Sequence, residues 1–184
     1  AETTRDLTMD TARALWSGIV GQDEAIDLLQ RACANPVHAC LFAGPAGSGK
    51  RGAARAFAAA LLCRSGGCGT CRDCTLVLHG EHPDVIEVER VGAAISVEQA
   101  GDIVRSASLA PLEGSRKVLI LDEFHLLAPT AAAKLLKTIE EPPPGTLFCV
   151  LADQVTPELI TIASRCVRVP FRPVPDDAIA DALI

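Results

Sequence analysis

Gly44-Pro45-Ala46-Gly47-Ser48-Gly49-Lys50-Arg51 sets three glycines and a lysine in the frame G-x-x-x-x-G-K. The frame lies behind a short apolar run and ahead of an Ala-rich helical stretch, a context that marks it as chemistry for phosphate. Glycines let backbone N–H groups close around anionic oxygens, and the following helix N-terminus adds partial positive charge. Lys50 would meet the outer phosphates as a point charge. The eighth position should be Ser or Thr, whose hydroxyl ligates Mg2+. It is Arg51, which has no lone pair to offer and whose charge opposes a divalent cation. The loop is kept while its metal chemistry is in doubt, so ATP or ADP binding is expected to be weak.

Asp122 and Glu123 follow Val118-Leu119-Ile120-Leu121, a run that reads as a buried strand. At that edge of a doubly wound sheet ligands collect. In a working site Asp122 would orient Mg2+ through water and Glu123 would activate the attacking water. His125 reads as a partly exposed helix residue rather than a base. Cys63-x4-Cys68-x2-Cys71-x2-Cys74 gathers four of the eight cysteines, with Gly66, Gly67 and Gly69 between them. Four thiolates at these spacings suit tetrahedral zinc. Iron–sulfur runs fit the spacing poorly, and unliganded thiols are the remaining alternative. With every ligand a sulfur, no open position is left, so the zinc would be structural. Cys33, Cys40, Cys149 and Cys166 stand in apolar stretches and read as ordinary buried thiols.

These groups need a scaffold. Apolar runs at 39–43, 84–88, 117–121, 146–151 and 166–170 predict strands. Helices are expected at 9–17, after the Val20-Gly21-Gln22-Asp23 turn, at 53–62, up to His79, from Ser96 to about Ala107, from Pro129 to the Pro142-Pro143-Pro144-Gly145 breaker, and at 156–163. Ser96-Val97-Glu98-Gln99 has the spacing of a capping box. Unbroken apolar strands alternating with helices predict an α/β fold with a parallel sheet covered on both faces. Residues 1–172 form the expected nucleotide-binding-type domain, including the cysteine insertion at 63–74. Residues 173–184 are expected to begin a helical lid that is cut short.

A chain that is 49% hydrophobic and 22% charged is neither disordered nor of low complexity. Five Phe, one Trp and no Tyr argue against a single-strand binder that works by base stacking. A net charge of −6 argues against holding nucleic acid alone by bulk charge. No apolar run approaches the ~20 residues of a membrane span, and residues 1–10 lack the apolar region of a signal peptide. A soluble, cytoplasmic chain with no membrane partner is expected.

Taken together the motifs resemble the AAA+ subunits of the bacterial DNA polymerase III clamp loader. Val20-Gly21-Gln22 is similar to that family's motif beside the adenine pocket, and the four-Cys insertion after the phosphate-loop helix is similar to that of its gamma and delta-prime members. Thr138-Ile139-Glu140-Glu141-Pro142-Pro143 resembles a characteristic helix end, and Ser164-Arg165-Cys166 resembles the motif that carries the arginine finger. Arg51 and Ile95-Ser96-Val97-Glu98-Gln99 look most like delta-prime. Lys50, Asp122, Glu123 and Phe124-His125 look like gamma/tau. Asp153 stands near the family's sensor-1 position, where Thr or Asn is usual. The resemblance implies an AAA+ P-loop NTPase fold in a component of the polymerase III holoenzyme. It implies as partners the other clamp-loader AAA+ subunits of a hetero-pentamer, the sliding clamp, and primed DNA through the assembled complex. It also implies that Arg165 acts in trans at a neighbour's ATP site while this chain's own hydrolysis is impaired. The alternative is a gamma/tau-type subunit that binds and hydrolyses MgATP itself.

Overall fold

Side chains along a strand alternate between the two faces of a sheet, so an unbroken apolar run is stable only where both faces are covered. The computed structural model, which describes residues 14–174, puts three such runs in the middle of a five-stranded sheet. They are β1 (Ala39–Ala43), β3 (Lys117–Leu121) and β4 (Thr146–Ala152). The shorter β2 (Val85–Val88) and β5 (Val167–Pro170) are the edges of the order β2-β3-β4-β1-β5. Every pairing is parallel; Cys40 lies opposite Cys149, and Cys149 opposite Ile120.

The alternation sorts the core into two layers. Cys40, Phe42, Val118, Ile120, Cys149 and Leu151 pack with α1 (Asp23–Ala34), α2 (Lys50–Leu62) and α3 (Arg72–His79). Leu41, Leu119, Leu121, Phe148 and Val150 pack with α4 (Val97–Ser108), α5 (Pro129–Glu140) and α6 (Pro157–Ala163). The expected α/β architecture with helices on both faces is the observed one.

Several expectations shift in detail. Helix α2 begins at Lys50 rather than Ala53, because Gly49 in the left-handed region turns the loop directly into the helix. His125 stands in a 3-10 turn, Phe124–Leu126, instead of a longer helix. The capping box at Ser96 is half made. Ser96 Oγ accepts the Gln99 N–H at 3.2 Å, but the Gln99 side chain turns to the loop after β2, donating to Glu89 O and accepting from Val91 N. Of the helix expected at 9–17, residues 14–16 are helical and 9–13 lie outside the described residues, as does the helix expected at 176–184.

One buried acid fixes the approach to β3. Asp84 has no exposed surface and accepts the N–H groups of Leu112, Glu113 and Gly114. Burial pushes its carboxyl pKa up, and the three donors outweigh burial, so the net direction is down from 3.8. A depressed folded pKa gives stability that is complete above the ordinary value and lost as pH falls through the lower one. Asp84→Asn is therefore expected to cost about 1–3 kcal/mol at neutral pH. Urea titrations should show the gap between parent and variant narrowing at about pH 3; a gap of equal size at both pH values would contradict this account of Asp84.

Candidate functional site

The phosphate loop leaves the C-terminal end of β1 and enters α2, so it sits on the sheet edge where the parallel strands all end. Gly47 and Gly49 have φ of 75° and 86°, a region that L side chains enter at a cost, and a Cβ on either would meet nothing within 4 Å. Backbone conformation, not crowding, requires glycine there. Gly44 differs: its Cβ would fall 2.3 Å from Phe171 O, so it is glycine because the chain leaving β5 passes against it. Gln22, buried just before α1, donates to Ser48 O at 3.2 Å. The Ser48 hydroxyl is buried and has no hydrogen-bond partner among the described residues. Val20 is half-buried and Gly21 exposed, with φ of 70°, immediately before Gln22.

Lys50 is only 8% exposed, and its ammonium has three hydrogens to place. Nζ donates to Gly44 O and Pro45 O, both at 2.7 Å, and lies 2.9 Å from Asp153 Oδ1. All three positions are used within the protein. Asp153 is steadied in turn by His125, whose Nδ1 accepts the Asp153 N–H at 3.2 Å.

Arg51 points to the acidic pair. Its Nε donates to Asp122 Oδ2 at 3.1 Å, its Nη2 reaches the same oxygen, and Nη2 also lies 2.9 Å from Glu89. The guanidinium thus sets a positive charge directly on the Asp122 carboxylate. Glu123 has φ of 50°, the one non-glycine residue with positive φ among the described residues. It lies against Arg90, with Nε at 3.2 Å from one oxygen and Nη2 at 3.4 Å from the other. Of the four residues singled out in the sequence, Arg51 and Asp122 pair directly, while Lys50 pairs with Asp153 and Glu123 with Arg90, and Glu89 joins Asp122 on the Arg51 guanidinium. Glu89 and Arg90 were legible only as the exit of an edge strand, though that position in a parallel sheet opens on the same crevice.

Arg165 lies apart from this cluster, after α6. Its Nη1 donates to Thr161 O at 2.8 Å and to Ser164 Oγ at 3.1 Å, and Nε lies 3.0 Å from Glu140 at the end of α5. The side chain remains 33% exposed.

The cysteine insertion joins α2 to α3. The Sγ atoms of Cys63, Cys68, Cys71 and Cys74 all lie within 4.8 Å of one another, with Cys63 at 3.7 Å from both Cys68 and Cys71. A disulfide needs about 2.05 Å; four sulfurs at 2.3 Å from a tetrahedral ion sit about 3.8 Å apart. The N–H groups of Cys68, Cys71 and Cys74 donate to the preceding thiol sulfurs at 3.3–3.5 Å. Hydrogen bonds from Thr70 and Cys71 draw the Cys68 pKa down to about 6, and Cys63 is also lowered, while Cys71 and the buried Cys74 are raised. Elsewhere burial pushes Cys40 and Cys166 up to about 12 and Cys33 to about 11; Cys40 and Cys149 are buried as expected, while Cys33 and Cys166 are half-buried. A second group, Asp73, His82 and Glu113, is close enough for an ion but does not suit one. His82 Nδ1 accepts the Asp84 N–H at 3.0 Å, which assigns the ring proton to Nε2. Both Glu113 oxygens are taken by Arg72, at 2.6 and 3.2 Å.

A parallel sheet in this order, with a phosphate loop after β1 and an acidic pair after β3, defines an AAA+ P-loop module. Solved structures agree on the fold. A DNA polymerase III gamma subunit-related protein of Thermotoga maritima superposes with a TM-score of 0.60 at 21% identity, covering 84% of this chain and 47% of that one. RuvB of Thermotoga maritima superposes with a TM-score of 0.57 at 17% identity, covering 89% of this chain and 49% of that one. The family model described as DNA polymerase III, delta subunit matches residues 21–175. DNA polymerase III subunit delta' of Pseudomonas aeruginosa is 38% identical over 162 residues, 85% of this chain and 46% of the relative. Subunit tau of Bacillus subtilis is 36% identical over 167 residues, 88% of this chain and 30% of the relative. The chain belongs to the DNA polymerase III clamp-loader subunit family, and it spans less than half the length of these curated relatives. Among the described residues no helix is long and apolar enough to cross a membrane.

Proposed function

We propose that the chain acts in DNA replication as a delta-prime-like clamp-loader subunit that helps set the sliding clamp on primed DNA. In this reading it completes a neighbouring subunit's ATP site with Arg165 and does little hydrolysis of its own. Its partners are the other AAA+ subunits of a hetero-pentamer, the clamp, and primed DNA through the assembly, and its place is the cytoplasm. The observation that carries the reading is the Arg51–Asp122 ion pair, with Glu89 on the same guanidinium. A divalent ion at Asp122 would have to displace a charge the protein itself holds there. Lys50 adds to this, since phosphate would compete with Asp153 and two carbonyls for its three donors. The Cys63, Cys68, Cys71 and Cys74 sulfurs would hold a structural zinc whose part is to staple an insertion too short to pack by itself.

A gamma/tau-type reading has Lys50, Asp122 and Glu123 in its favour, together with 36% identity to a tau subunit. Steady-state ATPase separates the two. The parent chain is expected to show no turnover above background, below a low rate in Arg51→Thr. Substantial MgATP turnover in the parent, undiminished relative to Arg51→Thr, would overturn it.

A further inference from the structure

Gln22 is 3% exposed, yet its side-chain amide reaches main-chain groups of two segments 26 and 150 residues away. Nε2 donates to Arg172 O at 2.7 Å and to Ser48 O at 3.2 Å, while Oε1 accepts the Arg172 N–H at 2.9 Å. One amide thus pairs both backbone groups of Arg172 as a neighbouring strand would. It does so just past the end of β5 at Pro170 and before Pro173. Its second N–H holds the phosphate loop. A second tie at the same junction runs from Arg172 Nη2 to Glu24 Oε2, at 2.8 Å, in the first turn of α1.

We infer that Gln22 is a positioning residue that couples the phosphate loop to the segment leaving β5. In a planar trans peptide the carbonyl and the next N–H point in opposite directions. Anchoring Ser48 O on Gln22 therefore aims the Gly49 N–H away from Gln22. Gly49, at φ 86°, keeps that peptide in place on its other side. A loop that moves must either leave a buried amide hydrogen unpaired, which is costly, or carry Gln22 with it. Gln22 in turn carries Arg172 through two bonds. The coupling is a property of these contacts and does not depend on whether the site hydrolyses ATP.

Amide hydrogen exchange in the full chain, in a cycle of Gly47→Ala and Gln22→Met, tests the coupling. Gly47→Ala strains the loop at φ 75° without meeting any neighbour within 4 Å, and it is expected to speed exchange of the Arg172 amide about threefold. Gln22→Met removes the acceptor and is expected to speed it about tenfold, with no further effect from Gly47→Ala. An Arg172 rate untouched by Gly47→Ala, or effects that multiply in the double variant, would overturn the inference. Should Gln22→Met not fold, Gln22→Glu serves instead, because it keeps the acceptor for Arg172 and loses both donors. There Gly47→Ala should no longer change the Arg172 exchange rate; a surviving Gly47→Ala effect would overturn the inference.

Discussion

Under the proposed role, replacing Arg165 with alanine is expected to leave this chain folded and to lower ATP turnover at the one neighbouring site it completes by ~10³-fold. The first half follows from its setting, and the second from the proposed role. The ion pair to Glu140 is part-exposed, at 33% and 46%, and pairs of that kind contribute about 0–1 kcal/mol. Folding therefore has little to lose. The same exposure leaves the guanidinium able to exchange Glu140 for a more highly charged oxyanion on a neighbouring subunit. There it would neutralise charge that develops on the transferred phosphoryl group. Single-turnover measurements on complexes reconstituted with parent or Arg165→Ala chains give the comparison. An intact complex that turns over ATP at the parental rate would remove this role from Arg165.

The second large effect is expected at the cysteine insertion. Cys74 has no exposed surface, so Cys74→Ser removes a ligand and leaves a buried hydroxyl in its place. Metal analysis of the parent should find about one zinc per chain and the variant almost none. The insertion also braces the start of the chain: a Cβ at Gly67 would fall 2.7 Å from Leu15 Cδ2 and 3.2 Å from Ala60 Cβ. Trp16, the single tryptophan, is 5% exposed in the same core layer. Losing the metal is expected to cost about 3–5 kcal/mol, lowering Tm by roughly 10 °C. Chelation should shift the Trp16 emission to longer wavelength. A metal-free parent chain with unchanged Tm and emission would contradict the structural zinc.

Features set by local spacing were open to reading, and features set by long-range pairing were not. The phosphate loop and the four cysteines are each compact in sequence, so residue types and spacing alone located them. The central strands declared themselves because Val118-Leu119-Ile120-Leu121 and its counterparts have no polar face to give to water. By contrast, Arg51 finds Asp122 across 71 residues, and Lys50 finds Asp153 only because β1 and β4 are paired neighbours, with Ala43 opposite Ala152. Arg51 read alone suggested a cation that repels Mg2+; the fold adds that this cation is itself bound by the acid Mg2+ would need. The Ser96 capping box failed by half for a similar reason. The Gln99 side chain bonds Glu89 and Val91 in the loop after β2 instead of returning to Ser96. Gln22 was legible only as part of a motif beside adenine, because its partners Ser48 and Arg172 meet it through tertiary structure.

Mn2+ as a paramagnetic substitute for Mg2+ reports most directly on whether Arg51 fills the cation position at Asp122. Electron paramagnetic resonance of the zinc-loaded chain titrated with Mn2+, with and without ADP, should show no nucleotide-dependent Mn2+ site in the parent chain. A stoichiometric protein–Mn2+–ADP complex in the parent, lost on Asp122→Asn, would contradict the account.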